Sequence, residues 1–289
     1  MTELFIHWNV DPVMLHLGSF SLRWYSFGFL FAFLFGYIIM NGFYKKDKVD
    51  SSLLDSLVVY IFLGVLVGAR LGHCLFYEPS YYLTSQHWWE IVLPFDADGQ
   101  FTGYEGLASH GAAIGILIAL GLYCRKFKTS VWWVVDRLVI VVALGGAFIR
   151  LGNLMNSEIY GVETSLPWGF VFERNHELLP KHPTQLYESL SYLIIFGVSY
   201  FAYLRKKGDL RNGRLFGWWL IALFGMRFLI EFVKNPQVGF ENGMLLDMGQ
   251  LLSLPFILGG VVVLYFSYSG KIRQGVFTDK TAESKYIKK

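Results

Sequence analysis

The sequence is short of charge. Of its 289 residues 16% are charged while 54% are hydrophobic, and the charges gather in short polar stretches between long apolar ones. Such patterning excludes an ordinary water-soluble globule and reads as an integral membrane protein. Cysteine is almost missing: Cys74 and Cys124 stand far apart in or at the ends of apolar segments. No zinc or redox spacing relates them, which leaves out a disulfide framework and a thiol-built metal site. No catalytic serine or cysteine motif and no metal-ligand cluster is present, so neither a metal nor a cofactor is expected. A basic start before the first apolar run is lacking too, and that run is long enough to stay in the membrane rather than serve as a cleaved signal. The net charge of +3 reports where lysine and arginine collect and does not point to nucleic acid.

A spanning helix needs about 20 mostly apolar residues to cross a hydrocarbon core of about 30 Å. Seven segments qualify, near 24–43, 56–77, 106–124, 131–150, 184–204, 215–233 and 248–268. Basic residues cluster after the first, third, fifth and seventh: Lys45, Lys46 and Lys48; Arg125, Lys126 and Lys128; Arg205, Lys206, Lys207, Arg211 and Arg214; and six in the tail after Gly270. Because cytoplasmic loops carry the basic excess, the amino terminus is expected outside and the carboxyl terminus inside. The expected fold is therefore all-α, a single polytopic membrane domain over 1–289 with seven transmembrane helices. Outer insertions fall at 78–105 and 157–183, and 270–289 forms a basic cytoplasmic tail. Both insertions are rich in aromatic residues and proline, and 78–105 holds acids but no Lys or Arg. "RLGHCLFYE" at 70–78 and "RLGNLMNSE" at 150–158 echo each other, which allows a duplicated helix pair and also feeds a transporter reading.

Arginine inside a spanning helix costs a few kcal/mol or more, so Arg70, Arg137, Arg150 and Arg227 each call for a reason. Arg137, beside Asp136 near the cytoplasmic edge, can snorkel or pair. Arg227 has Glu231 one turn on, where an intrahelical ion pair would suffice, and Arg70 is open to a structural or a functional role. Arg150 has no acid one turn away. Its helical neighbours Asn153 and Asn156 offer amide donors on roughly the same face. A guanidinium binds phosphate in a two-pronged geometry, so this face suits an oxyanion in a dry site. In "GLASHGAAIG" His110 falls in the first turn of the third helix, where free N–H groups and the helix dipole favour an anion. "KHPTQLYES" opens the fifth helix with Pro183 and sets Gln185 and Glu188 one turn apart. "RWYSFG" puts Tyr25 at the outer start of the first helix, where it could also be an interface anchor. On the expected topology Tyr25, His110, Arg150, Glu158, Gln185 and Arg227 all fall toward the outer leaflet. Such a set describes a pocket for an anionic phospholipid head group.

With those residues in view, the sequence resembles the prolipoprotein diacylglyceryl transferases of bacteria. "GARLGHCLFY", "SHGAAIG", "RLGNLMNSEIYG", "KHPTQLYE" and "RFLIEF" are similar to that family's blocks and follow its order, from about residue 21 to 268. The resemblance implies a seven-helix bundle with the amino terminus outside, in the bacterial inner membrane. It implies transfer of the diacylglyceryl group of phosphatidylglycerol to the lipobox cysteine thiol of a prolipoprotein, with release of glycerol 1-phosphate. Carried over, the family's essential histidine falls on His110, its signature arginine on Arg150, and the rest of that signature on Asn153, Glu158 and Gly161. Its first-helix tyrosine falls on Tyr25 and its late arginine on Arg227. Family members often have a tyrosine four residues before that arginine, where this chain has Leu223. In the reading that follows, His110, Arg150 and Arg227 are the catalytic candidates. Tyr25, Arg70, Arg150, Asn153, Asn156, Glu158, Gly161, Gln185 and Glu188 are the candidates for binding substrate. His110 would take the thiol proton or orient a substrate. The alternatives to an enzyme are a transporter or flippase of an anionic lipid and a structural scaffold.

Overall fold

The computed structural model describes residues 5–17, 20–84, 87–93, 95, 108–205, 210–235 and 244–287. In chain order these form β1 (Ile6–Trp8), β2 (Val13–Leu17), β3 (Phe20–Arg23), α1 (Trp24–Lys46), α2 (Ser51–Gly72), the short α3 (Pro79–Tyr82), α4 (Ser109–Phe127), α5 (Val131–Met155), β4 (Phe170–Phe172), α6 (Thr184–Arg205), α7 (Arg214–Glu231), α8 (Met248–Tyr268) and α9 (Lys280–Tyr286). Each of the seven expected segments contains a long helix among its described residues. Four of them are long and apolar enough to cross a membrane by length and composition: Trp24–Lys46, Ser51–Tyr77, Val131–Met155 and Met248–Tyr268. The protein is thus an all-helical membrane protein with small β elements. In α6 the reason for the weaker apolar character is visible, since Thr184, Gln185, Glu188, Ser189, Ser191 and Ser199 are all buried and do not face lipid.

The chain divides into two compact units. One comprises 1–43 and 132–274, the other 44–131 and 275–289. In the second unit α2 and α4 pack through glycine on both sides. A Cβ on Gly68 would strike the Gly111 carbonyl and lie 2.9 Å from Gly115 Cα, so bare backbones are what let the helices approach. Beyond Gly72 the chain widens into a π-helical turn, His73–Tyr77. The tail is ordered against this unit: Thr278 N donates to Lys128 O at 2.7 Å, Ser130 N to Val276 O at 2.7 Å and Asp50 N to Tyr286 O at 2.9 Å. Of the expected insertion 78–105, residues 85–86, 94 and 96–105 lie outside the described residues.

In the first unit Asp136 on α5 is fully buried and accepts from Gly213 N at 2.6 Å and Phe216 N at 2.8 Å. A carboxylate from one helix thereby satisfies the amino-terminal N–H groups of α7. Arg137 donates to the Trp133 carbonyl at 2.9 Å and lies over the Trp133 ring at 4.1 Å. The insertion 157–183 carries β4 and several isolated β-bridges. β1 runs parallel to β4, Phe170 and Glu163 both bridge Lys181, and Gly161 bridges Lys234.

Candidate active site

The site grows from the way α5 ends. Glu158 N donates to Asn153 O at 3.1 Å and Ser157 N to Leu154 O at 2.9 Å, with Ser157 at φ 54°. This is a Schellman stop with serine in the left-handed position that glycine usually takes. Ile159, two residues on, also has a positive φ of 61°, a conformation costly for a β-branched residue. The first turn of α6 pins the strained segment. Thr184 Oγ1 donates to the Ile159 carbonyl at 2.8 Å and Gln185 Nε2 to the Glu158 carbonyl at 2.6 Å, and both donors are fully buried. From the other side, Trp8 Nε1 donates to Leu154 O at 3.0 Å.

This turn aims Glu158 back along α5, where it accepts from Asn153 Nδ2 at 2.7 Å and Asn156 Nδ2 at 3.2 Å through the same oxygen. Asn153 Oδ1 in turn accepts from Arg150 Nη1 at 3.2 Å. Each amide thereby gives one N–H to an acid of their own block, and Asn153 ties Arg150 to Glu158. Arg150 also has a tertiary partner, Glu188 on α6, at 2.6 Å from Nε to Oε2. Glu188 is fully buried and Arg150 partly so. Nη1 is hydrogen-bonded to Asn153, the Tyr192 hydroxyl is hydrogen-bonded to the guanidinium, and Glu188 pairs with it by charge, three contacts that restrict how the planar fork can turn. The Tyr25 hydroxyl is turned toward Asn153. Its ring can sit there because Gly152 has no side chain, and a Cβ would lie 2.7 Å from Tyr25 Cδ2.

A family model described as prolipoprotein diacylglyceryl transferase matches residues 12–266. The chain belongs to that family. A phosphatidylglycerol–prolipoprotein diacylglyceryl transferase of Bacteroides fragilis is 46% identical over 267 residues, covering 91% of this chain and 95% of its own. Proteins of the same name from Tolumonas auensis and Porphyromonas gingivalis are 44% and 42% identical, each covering 93% of this chain and 100% and 97% of their own. Within this family member the first unit brings together Tyr25, Arg150, Asn153, Asn156, Glu158, Gly161, Gln185 and Glu188. Arg70 and His110 belong to the second unit. His110 is the second residue of α4 and its side chain is exposed. Arg70 is buried and holds the turn at 88–91, donating to Glu90 O at 2.5 Å and Ile91 O at 3.3 Å and lying over Tyr82.

Arg227 does not form the intrahelical pair with Glu231. The acid turns to Lys234 at 3.6 Å, while Arg227 lies within electrostatic reach of Tyr192. Tyr192 itself was not legible as a site residue. It is buried on α6 one turn after Glu188, with its hydroxyl toward Arg150. Leu223, at the family's usual tyrosine position, packs against the cluster that holds Tyr192. His182 opens α6 with Nδ1 at 3.1 Å from the Tyr187 hydroxyl, and burial lowers its pKa below the ordinary histidine value, which leaves the ring neutral at pH 7.

Proposed function

We propose that this chain transfers the diacylglyceryl group of phosphatidylglycerol to the lipobox cysteine thiol of prolipoproteins at the outer face of the bacterial inner membrane. The observation that carries the reading is the oriented, half-sheltered Arg150, held by Glu188 and Asn153 inside the signature block of a family member. In the reaction the thiolate sulfur attacks a glycerol carbon, and that carbon's bond to the phosphate oxygen breaks with its electron pair leaving on oxygen. A thioether forms and glycerol 1-phosphate departs. Charge grows on the phosphate oxygens as the bond breaks, so cations that bind them more tightly then than before accelerate the step. Arg150 and Arg227 take that role. The thiol proton goes to His110. The nucleophile arrives with the protein substrate, so the chain needs none of its own.

Mixing the purified protein with phosphatidylglycerol and a lipobox peptide and weighing the peptide tests this. A gain of one diacylglyceryl mass is expected. Lipid movement between leaflets with the peptide unchanged would instead favour a transporter of anionic lipid, and neither would leave a scaffold.

The orientation belongs to the same proposal: seven spans, amino terminus outside, tail in the cytoplasm. Two sets of contacts support it. In the second unit the tail pairs with the loops at 48–50 and 128–130. In the first, Ser267 Oγ donates to Asn212 O at 2.8 Å and Asn212 Nδ2 to Arg273 O at 3.2 Å. Every pairing joins segments flanked by basic clusters. In intact cells Leu178→Cys, at a position 91% exposed, is expected to react with an impermeant thiol reagent and Arg211→Cys is not. Labelling of the second would overturn the orientation.

A further inference from the structure

Lys234 lies just past α7, in a segment the sequence presents only as a helix end. It is 4% exposed, and its ammonium sits 3.4 Å from Glu188 Oε1 and 3.6 Å from Glu231 Oε2. Both carboxylates are buried. Glu188 gives its other oxygen to Arg150, so one carboxylate is shared by a guanidinium and an ammonium. Glu231 has little freedom, because a Cβ on Gly249 would strike its carboxyl group. A buried lysine loses its hydration and stays charged only where acids offset that loss. Four alternating charges meet that condition: Arg150, Glu188, Lys234 and Glu231.

Gly161 is what lets Lys234 in. Val162 N donates to Val233 O at 3.0 Å and Asn235 N to Tyr160 O at 3.4 Å, bracketing the Gly161–Lys234 bridge. A Cβ on Gly161 would collide with the Val233 carbonyl and lie 2.8 Å from both His182 Cβ and Thr184 Cγ2. The block that supplies Arg150 therefore also receives the segment that carries the second cation on Glu188.

We infer that Lys234 is a positioning residue for the phosphate site. By holding Oε1 of Glu188 it keeps the carboxylate turned so that Oε2 lies against the Arg150 guanidinium as its counter-charge, and so helps set where that guanidinium rests. The inference rests on Arg150 being the phosphate ligand. Lys234 acts through Glu188 and does not touch the lipid. Without it, two buried carboxylates share one cation fewer, Glu188 is free to turn, and the fork loses its plane.

The test compares Lys234→Met, Lys234→Arg, Glu188→Gln and the double variant Lys234→Met/Glu188→Gln in the full-length protein. Peptide conversion supplies KM and kcat, and native mass spectrometry supplies retention of phosphatidylglycerol. Lys234→Met is expected to raise KM for the lipid about tenfold and reduce retention similarly, with Lys234→Arg within about threefold of wild type. In the Glu188→Gln background the methionine change should add less than about twofold, because the group it acts through is gone. An equal cost in both backgrounds overturns the inference. So does an arginine variant as impaired as the methionine one while unfolding at the wild-type temperature. Should Lys234→Met fail to accumulate, Lys234→Gln/Glu231→Gln removes one charge of each sign and carries the same expectations. A wild type that retains phosphatidylglycerol but leaves the peptide mass unchanged refutes the transferase reading, and lipid retention by the variants then still decides the role of Lys234.

Discussion

Arg150→Lys is expected to lower kcat/KM for phosphatidylglycerol about a hundredfold while leaving the folded protein intact, a loss of about 2.7 kcal/mol in transition-state stabilisation. Lysine keeps the charge, so a site that needed only a cation would be little affected. The geometry argues otherwise. Arg150 is paired with Glu188 at 2.6 Å and hydrogen-bonded to Asn153 at 3.2 Å and to the Tyr192 hydroxyl, which holds a rigid planar fork whose remaining N–H groups can meet two phosphate oxygens at once. An ammonium on a flexible stem can answer Glu188 or the phosphate but cannot hold both in one plane. Because the phosphate gains charge as the bond to glycerol breaks, most of the loss should fall on kcat. Initial rates of peptide lipidation across lipid concentrations check this. Near-normal kcat in the lysine variant would reduce Arg150 to a point charge and remove the two-pronged contact from the mechanism.

His110→Asn is expected to cost about a hundredfold to ten-thousandfold at pH 7, the usual range for a missing general base. Asparagine preserves hydrogen bonding but cannot accept the proton. The substrate offers an independent control, since a free thiol ionises near pH about 8.5 and is mostly protonated at neutrality. If His110 takes that proton, raising pH toward 8.5 should recover part of the variant's rate, because the peptide then ionises unaided. The wild type should gain much less. Parallel pH profiles at saturating lipid would show that His110 orients a substrate, and would leave the part played by Arg150 and Arg227 untouched. The exposed position of His110 at the second residue of α4 suits contact with a peptide that arrives from outside the protein.

The sequence alone determined where the helices run and which residues form the signature block. Spanning helices are written locally, as runs of about 20 apolar residues, and each of the seven expected segments contains a long helix among its described residues. Asp50 and Asp247 cap α2 and α8 from adjacent positions, again a local feature. Arginine among apolar residues announces a site because burial makes it costly. What such a residue is held by is not local. Glu188 reaches Arg150 from another helix, Lys234 reaches Glu188 across 46 residues and Asp136 caps α7 across 77. The Arg227–Glu231 spacing satisfied the rule for an intrahelical pair, yet Glu231 turned to Lys234, which the bridge to Gly161 holds in place. Likewise Asn153 and Asn156 had the right chemistry to face an oxyanion. That each also gives one N–H to Glu158 follows from the left-handed turns at Ser157 and Ile159, held by Thr184 and Gln185. A one-dimensional pattern states which groups must find partners. Which partner each one finds depends on how close the backbones come, and here that is set by a glycine at 161 facing the Val233 carbonyl.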